Sequence, residues 1–235
     1  MSTSTDIPQY KRDFLNACTT SSALKFGSFT LKSGRQSPYF FNAGAFYIGS
    51  LLRSLSTAFA QTIARQTPAL EFDVLFGPAY KGIPLAVASL DKLSEIDEKR
   101  FGHVGYSFNR KEAKTHGDTG TIVGASLQGK RVLIVDDVMT AGTAVREAVS
   151  IIESQGGTLA GIVVALDRME KAPAKEGEDE HAPRKSTLGE VRERFGVPVV
   201  AVLTLDDIIE GYKQIGTDEE LKQLEQYRAK YKASD

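Results

Sequence analysis

Four short, almost uninterrupted apolar runs constrain this chain more than any other feature. They are Val74-Leu75-Phe76, closed by Gly77-Pro78; Val132 to Val135, closed by Asp136-Asp137; Gly161 to Leu166, closed by Asp167-Arg168; and Val199 to Leu203. Helical patterns lie between them, at Ile83 to Leu93 and at Ala144 to Glu153, the latter ended by Gly156-Gly157. A strand that is apolar on both faces must be covered on both faces, and parallel strands need a long crossover between them. The pattern therefore predicts an α/β fold, a parallel β-sheet flanked by helices on both faces. In such sheets ligands bind beyond the carboxyl ends of the strands. Gly77 to Lys81, Asp136 to Gly142 and Asp167-Arg168 are thus the first places to look for chemistry.

The remaining segments read as follows. Ile7, Tyr10, Phe14, Leu15 and Cys18 recur at helical spacing, and so do Leu52, Leu55, Phe59 and Ile63. Phe26 to Leu31 and Tyr39 to Asn42 read as strands about a turn at Lys32-Ser33-Gly34-Arg35. Glu219 to Tyr231 reads as a surface helix with Leu221, Leu224 and Tyr227 on its buried stripe. Two polar stretches stand apart: residues 110–121, and the segment 170–194 with its acidic cluster Glu178-Asp179-Glu180. The second is expected to be a mobile, charged surface insertion. A length of 235 residues suits one domain, read here as spanning 1–235.

Charge and cysteine usage exclude several classes. Lys and Arg number 29 against 30 Asp and Glu, so no global field draws the chain to nucleic acid or to an anionic membrane. Cys18 is the single cysteine, so no intramolecular disulfide forms; it is expected in the core, in a reducing compartment. No N-terminal stretch resembles a signal peptide, and the longest apolar runs are too short to span a bilayer. The expectation is a cytoplasmic protein without nucleic-acid or membrane partners.

The richest stretch is Val132 to Ala144, VLIVDDVMTAGTA. A buried strand delivers two adjacent carboxylates, and Thr140, Ala141, Gly142 and Thr143 then lead into a helix. Hydroxyls and free N–H groups at a helix start form an anion site, and a glycine lets a phosphate approach the backbone. Carboxylates beside a phosphate make sense when they face another part of the same ligand, sugar hydroxyls or a magnesium ion. Helix capping alone needs only one such residue. The GxxxxGK spacing at Gly124 to Lys130 is not a P-loop: Arg131 stands where Ser or Thr is required, and a strand follows where a helix should.

VLIVDDVMTAGTA resembles the phosphoribosyl diphosphate signature of the type I phosphoribosyltransferases. LKSGRQSPYFFN at 31–42, FGPAYKG at 76–82, FNRKEAKTHG at 108–117 and Arg168 are similar, in order, to the orotate phosphoribosyltransferase family. The resemblance implies the type I fold with a small hood, to which residues 1–45 contribute. It implies transfer of ribosyl 5-phosphate from 5-phosphoribosyl 1-diphosphate to orotate, in pyrimidine biosynthesis. Magnesium is the implied cofactor, bound mainly through the diphosphate, and a homodimer with loop-shared sites is the implied assembly.

Residue by residue, the resemblance implies that Asp136 and Asp137 hold the ribose hydroxyls, that Thr140, Ala141, Gly142 and Thr143 hold the 5′-phosphate, and that Val138, Met139 and Ala144 also bind substrate. Tyr80 and Lys81 would contact the diphosphate donor, and Lys32 would reach the donor and base region. Phe40 and Phe41 would flank the pyrimidine, and Arg168 would pair with the orotate carboxylate. Arg110, Lys111, Lys114 and His116 would belong to a mobile catalytic loop over 110–121 that neutralises the departing diphosphate. Two rivals differ in class. A transferase for uracil or a purine would have no use for Arg168 at a strand end. A regulator that binds the diphosphate and touches nucleic acid would not need the cationic loop.

Overall fold

The computed structural model describes residues 7–31, 33–114, 120–139, 142–174, 177, 179 and 182–235. The chain opens with helix α1 (Gln9–Thr20), whose buried face is Phe14, Leu15 and Cys18. A two-stranded antiparallel sheet follows, β1 (Leu24–Thr30) and β2 (Gln36–Phe41), with Leu24 opposite Phe41 and Thr30 opposite Gln36. Helix α2 (Gly49–Ala64) then leads into the main sheet.

That sheet runs through β3 (Val74–Phe76), α3 (Gly82–Ile96), the short α4 (Glu98–Phe101), β4 (Gly105–Lys114), β5 (Gly120–Gly124) and β6 (Arg131–Val138). It continues with α5 (Thr143–Ser154), β7 (Thr158–Asp167), α6 (Thr187–Phe195) and β8 (Val199–Thr204). Helices α7 (Leu205–Tyr212) and α8 (Asp218–Lys230) close the chain, each begun by a capping box, at Thr204/Asp207 and Thr217/Glu220.

Strand order is β5-β4-β3-β6-β7-β8, parallel throughout except for the antiparallel β4–β5 edge. The alternation of side chains along a strand explains why two layers of helix are needed. Leu75, Leu133, Val135, Val163, Ala165 and Val202 enter one core with α1, α2, α3, α7 and α8. Val74, Phe76, Val132, Ile134, Ile162 and Val164 enter a second core with α5 and α6. From β3 the chain moves outward to β4 in one direction and, through β6, to β7 and β8 in the other. The gap between the carboxyl ends of β3 and β6 is therefore the topological switch point, where α/β sheets open a crevice.

Two expectations about the polar segments are corrected. Arg110 to Lys114 are strand rather than loop: they complete β4, and Lys114 pairs with Gly120 across the edge of the sheet after a register shift beyond Asn109. A charged sequence is compatible with this part of β4, which lies beyond its pairing with β3 at Gly105 to Ser107: Lys111 and Glu112 stay exposed while the backbone pairs with the edge strand β5. Residues 115–119 lie outside the described residues. The 170–194 segment is not a surface insertion over its whole length. Its last part is helix α6, with Leu188 and Val191 buried, and its first part carries the buried Lys171 and Ala172. Ala172 N–H donates to the Lys185 carbonyl, and Lys171 N–H to the Tyr231 carbonyl. High charge misled here because a few apolar residues at helical spacing suffice to dock a short helix.

Candidate active site

Three strand ends meet at the switch point. After β3, Gly77 and Gly82 approach so closely that a Cβ on Gly77 would overlap the Gly82 carbonyl, which is why glycine stands at both places. Between them the Ala79–Tyr80 peptide is cis, Tyr80 is exposed, and Lys81 Nζ reaches Asp137 Oδ2 at 2.7 Å. From β4, the Asn109 side chain accepts the Ala79 N–H at 2.9 Å, and Lys111 Nζ stands 5.9 Å from the Tyr80 ring centre. Sequence reasoning missed Asn109, whose position inside the FNRKEAKTHG stretch was its only signal.

From β6 come the two carboxylates. Asp136 Oδ1 accepts the Asp137 N–H at 2.9 Å, and Asp137 Oδ1 accepts the Val138 N–H at 2.7 Å, so each acid is held by the next backbone N–H and keeps its other oxygen for other partners. Burial, with the negative Asp137 alongside, pushes the Asp136 carboxyl up to about 6; its bond from the Asp137 N–H and nearby Lys81 pull the other way. Val138 is half-buried and Met139 packs into the second core. Gly142 stands at φ 69° before α5, and no side chain among the described residues caps the first turn of that helix, so its N–H groups remain available to an anion. Thr143 and Ala144 are exposed at that turn, and Thr143 Oγ1 accepts from Arg146 Nη2 at 3.1 Å. Thr140 and Ala141 lie outside the described residues.

The base-side groups divide. Alternation along β2 sends Phe40 and Phe41 to opposite faces. Phe40 is exposed and packs on Phe29 with ring centres 5.6 Å apart, whereas Phe41 belongs to the first core. Neighbouring side chains on one strand point to opposite faces, so the structure does not bring the two rings together. Arg168 follows β7 and is largely buried over the Tyr39 ring, 4.3 Å from its centre. Lys32 and His116 lie outside the described residues. Arg110 Nη1 donates to the Gly120 carbonyl at 3.0 Å, and the backbone of Lys114 ends β4. A separate cavity of 380 Å³ between the β1–β2 hairpin and α8 shares Ser37 and Tyr227 with the surroundings of Arg168 but has neither Lys81 nor Asp136 in its wall.

A family model for the phosphoribosyl transferase domain matches residues 48–185. The chain is 59% identical over 228 residues to an orotate phosphoribosyltransferase of Neurospora crassa, covering 96% of this chain and 97% of that protein. It is 47% identical to one of Schizosaccharomyces pombe, with 95% and 99% covered. The chain belongs to the orotate phosphoribosyltransferase family. A solved structure of the Francisella tularensis family member superposes with a TM-score of 0.78 at 39% identity, covering 94% of this chain and 99% of that one. The chain therefore joins orotate to ribosyl 5-phosphate taken from 5-phosphoribosyl 1-diphosphate, a step of pyrimidine biosynthesis. Among the described residues, no helix is long and apolar enough to cross a membrane.

Proposed function

We propose that the transfer takes place at the switch point and uses the residues gathered there. The observation that carries this reading is the 2.7 Å contact between Lys81 and Asp137, which joins the loop after β3 to the carboxylates near the end of β6. In this reading Asp136 and Asp137 hold the ribose hydroxyls, Thr140 to Thr143, at the start of α5, hold the 5′-phosphate, and Val138, Met139 and Ala144 also bind substrate. Tyr80, Lys81, Arg110, Lys111, Lys114 and His116 surround the diphosphate, and Lys32, Phe40 and Arg168 serve the orotate. Phe41 contributes through its backbone.

Displacement at the anomeric carbon passes through an oxocarbenium-like transition state, as in glycoside cleavage, and needs no protein nucleophile. The chain's own task is to hold two anions in line and to stabilise the leaving diphosphate with cations that water no longer screens. Asp136 and Asp137 are hard oxygen donors of the kind that magnesium takes one or two of, alongside substrate phosphates. When bound there it would neutralise charge on the diphosphate. The residues from 1 to 235 act in this reading as one domain. The enzyme works as a cytoplasmic homodimer, with Arg110, Lys114 and His116 serving the partner's site and Lys111 its own.

The direct test is orotate consumption by the purified protein with 5-phosphoribosyl 1-diphosphate, with and without magnesium. Activity lost to a chelator and restored by magnesium is the expected result; activity indifferent to the chelator overturns the magnesium assignment. Uracil in place of orotate should lose roughly 10⁴-fold in kcat/KM, because Arg168 would be left without its carboxylate.

A further inference from the structure

Arg168 is not a free cation awaiting substrate. Its Nε donates to Glu170 Oε1 at 2.6 Å, and its Nη2 donates to Ser37 Oγ at 2.9 Å and to the Tyr227 hydroxyl at 3.3 Å. These groups occupy the side of the guanidinium made by Nε and Nη2, while Nη1 has no partner among the described residues. Glu170 is a junction: Oε1 also accepts the Tyr227 hydroxyl at 2.8 Å, and Oε2 accepts Arg35 Nη1 at 3.3 Å. All three charged side chains are nearly buried, at 12% exposure for Arg168 and Glu170 and 5% for Arg35.

The backbone is shaped for this junction. Met169, between Arg168 and Glu170, has φ 53°, a left-handed conformation that a residue with a Cβ adopts at some cost. Asp167 Oδ1 fixes the turn by accepting the Met169 N–H at 2.7 Å, and Arg228 of α8 donates to the Met169 carbonyl at 3.3 Å. Strain of this kind persists where the surroundings over-determine it. Here the turn lets residues two apart bring opposite charges together just beyond the end of a strand.

We propose that Glu170 is a positioning residue for orotate recognition, holding the Nε side of Arg168 so that its Nη1 edge is presented to the substrate carboxylate. The inference rests on reading Arg168 as the partner of that carboxylate. Because Glu170 and the substrate use different edges of one guanidinium, they do not compete. A buried arginine with its charge already balanced also keeps one rotamer in the absence of ligand, so less side-chain freedom is lost on binding. Arg35 and Tyr227 make the arrangement depend on the turn between β1 and β2 and on α8 together.

The test compares Glu170→Ala, Glu170→Gln, Arg168→Ala and the double variant Arg168→Ala/Glu170→Ala. Steady-state kinetics would give separate KM values for orotate and the donor. Glu170→Ala should raise the orotate KM roughly 10-fold or more, with the donor KM within about twofold. In the Arg168→Ala background the same change should move the orotate KM by less than about twofold, since nothing remains to be positioned. Glu170→Gln keeps the shape and an acceptor for Nε. It should raise the orotate KM only about threefold, and it carries the test if the alanine variant does not fold. A fall in the orotate KM in either Glu170 variant would show competition and overturn the proposal. So would an orotate KM that is unmoved in both. A raised KM in Arg168→Ala beside unmoved Glu170 variants overturns this inference alone. An unmoved orotate KM in Arg168→Ala overturns the reading beneath it.

Discussion

Replacing Asp136 by asparagine should stabilise the ligand-free protein at neutral pH while damaging catalysis. Asp136 is partly buried beside a second carboxylate, and its pKa is raised from 3.8 to about 6. For an acid, a folded pKa above the unfolded value means that the native state binds the proton more tightly. Stability is then lost as pH rises from about 4 to 6, and the penalty is complete above that window. That separation corresponds to about 3 kcal/mol at pH 8 and roughly half as much at pH 5. Asparagine keeps an oxygen to accept the Asp137 N–H and removes the charge, so it should recover most of that penalty. With an unfolding entropy near 2.1 cal/mol/K per residue, about 3 kcal/mol raises the Tm of a chain this long by about 6 °C. Denaturant melts of both proteins at pH 8 and pH 5, without ligand, measure the two differences. An asparagine variant less stable than the parent, or equally favoured at both pH values, would refute the electrostatic reasoning. The same variant should lose donor kcat/KM, because the ionised carboxylate is the form that accepts from ribose hydroxyls.

Other outcomes follow from the same geometry. The pH profile of donor kcat/KM should fall on the acid side with a midpoint near 6, and that limb should be missing in Asp136→Asn; a limb that survives the substitution belongs to another group. Arg35→Ala should cost about 2–4 kcal/mol, or about 4–8 °C in Tm. It removes a buried guanidinium that donates to the Lys171 carbonyl at 2.8 Å and stacks on Tyr231, and it strips Glu170 of a partner; an unchanged melting curve would contradict that account. At orotate concentrations well below the raised KM of Arg168→Ala, that variant and Lys114→Ala are each nearly inactive alone, and they should recover activity when refolded together in equal amounts. Random pairing makes about half the dimers mixed, each with one intact site, so roughly a quarter of all sites work. Mixed dimers confirmed by mass but without activity would rule out a shared site.

Much of the architecture was legible in the order of residues. Runs such as Val132 to Val135, apolar at every position, have meaning only when both faces of a strand are covered, and the two cores divide those residues alternately. The ends of the runs located the site because the connection out of a parallel strand must emerge there. Composition was a poorer guide. It set Arg110 to Lys114 apart as merely polar and took Leu188 and Val191 for part of a solvated insertion, since charge reports exposure of side chains and not the pairing of backbone.

What the order of residues could not supply is which distant groups share a neighbourhood. The Asp136-Asp137 pair is visible in the sequence, but the raised pKa of Asp136 comes from burial at the switch point, and Lys81 meets Asp137 across 56 positions. Phe40 and Phe41 are equivalent as letters, and only the packing of β2 sends one into the core and leaves the other open. Arg168 could be read from the end of its strand. That Ser37 and Arg35 from the hairpin and Tyr227 from α8 converge on it and on Glu170 was decided by tertiary structure alone, because a hydrogen bond forms where folding brings donor and acceptor within about 3 Å, whatever their separation along the chain.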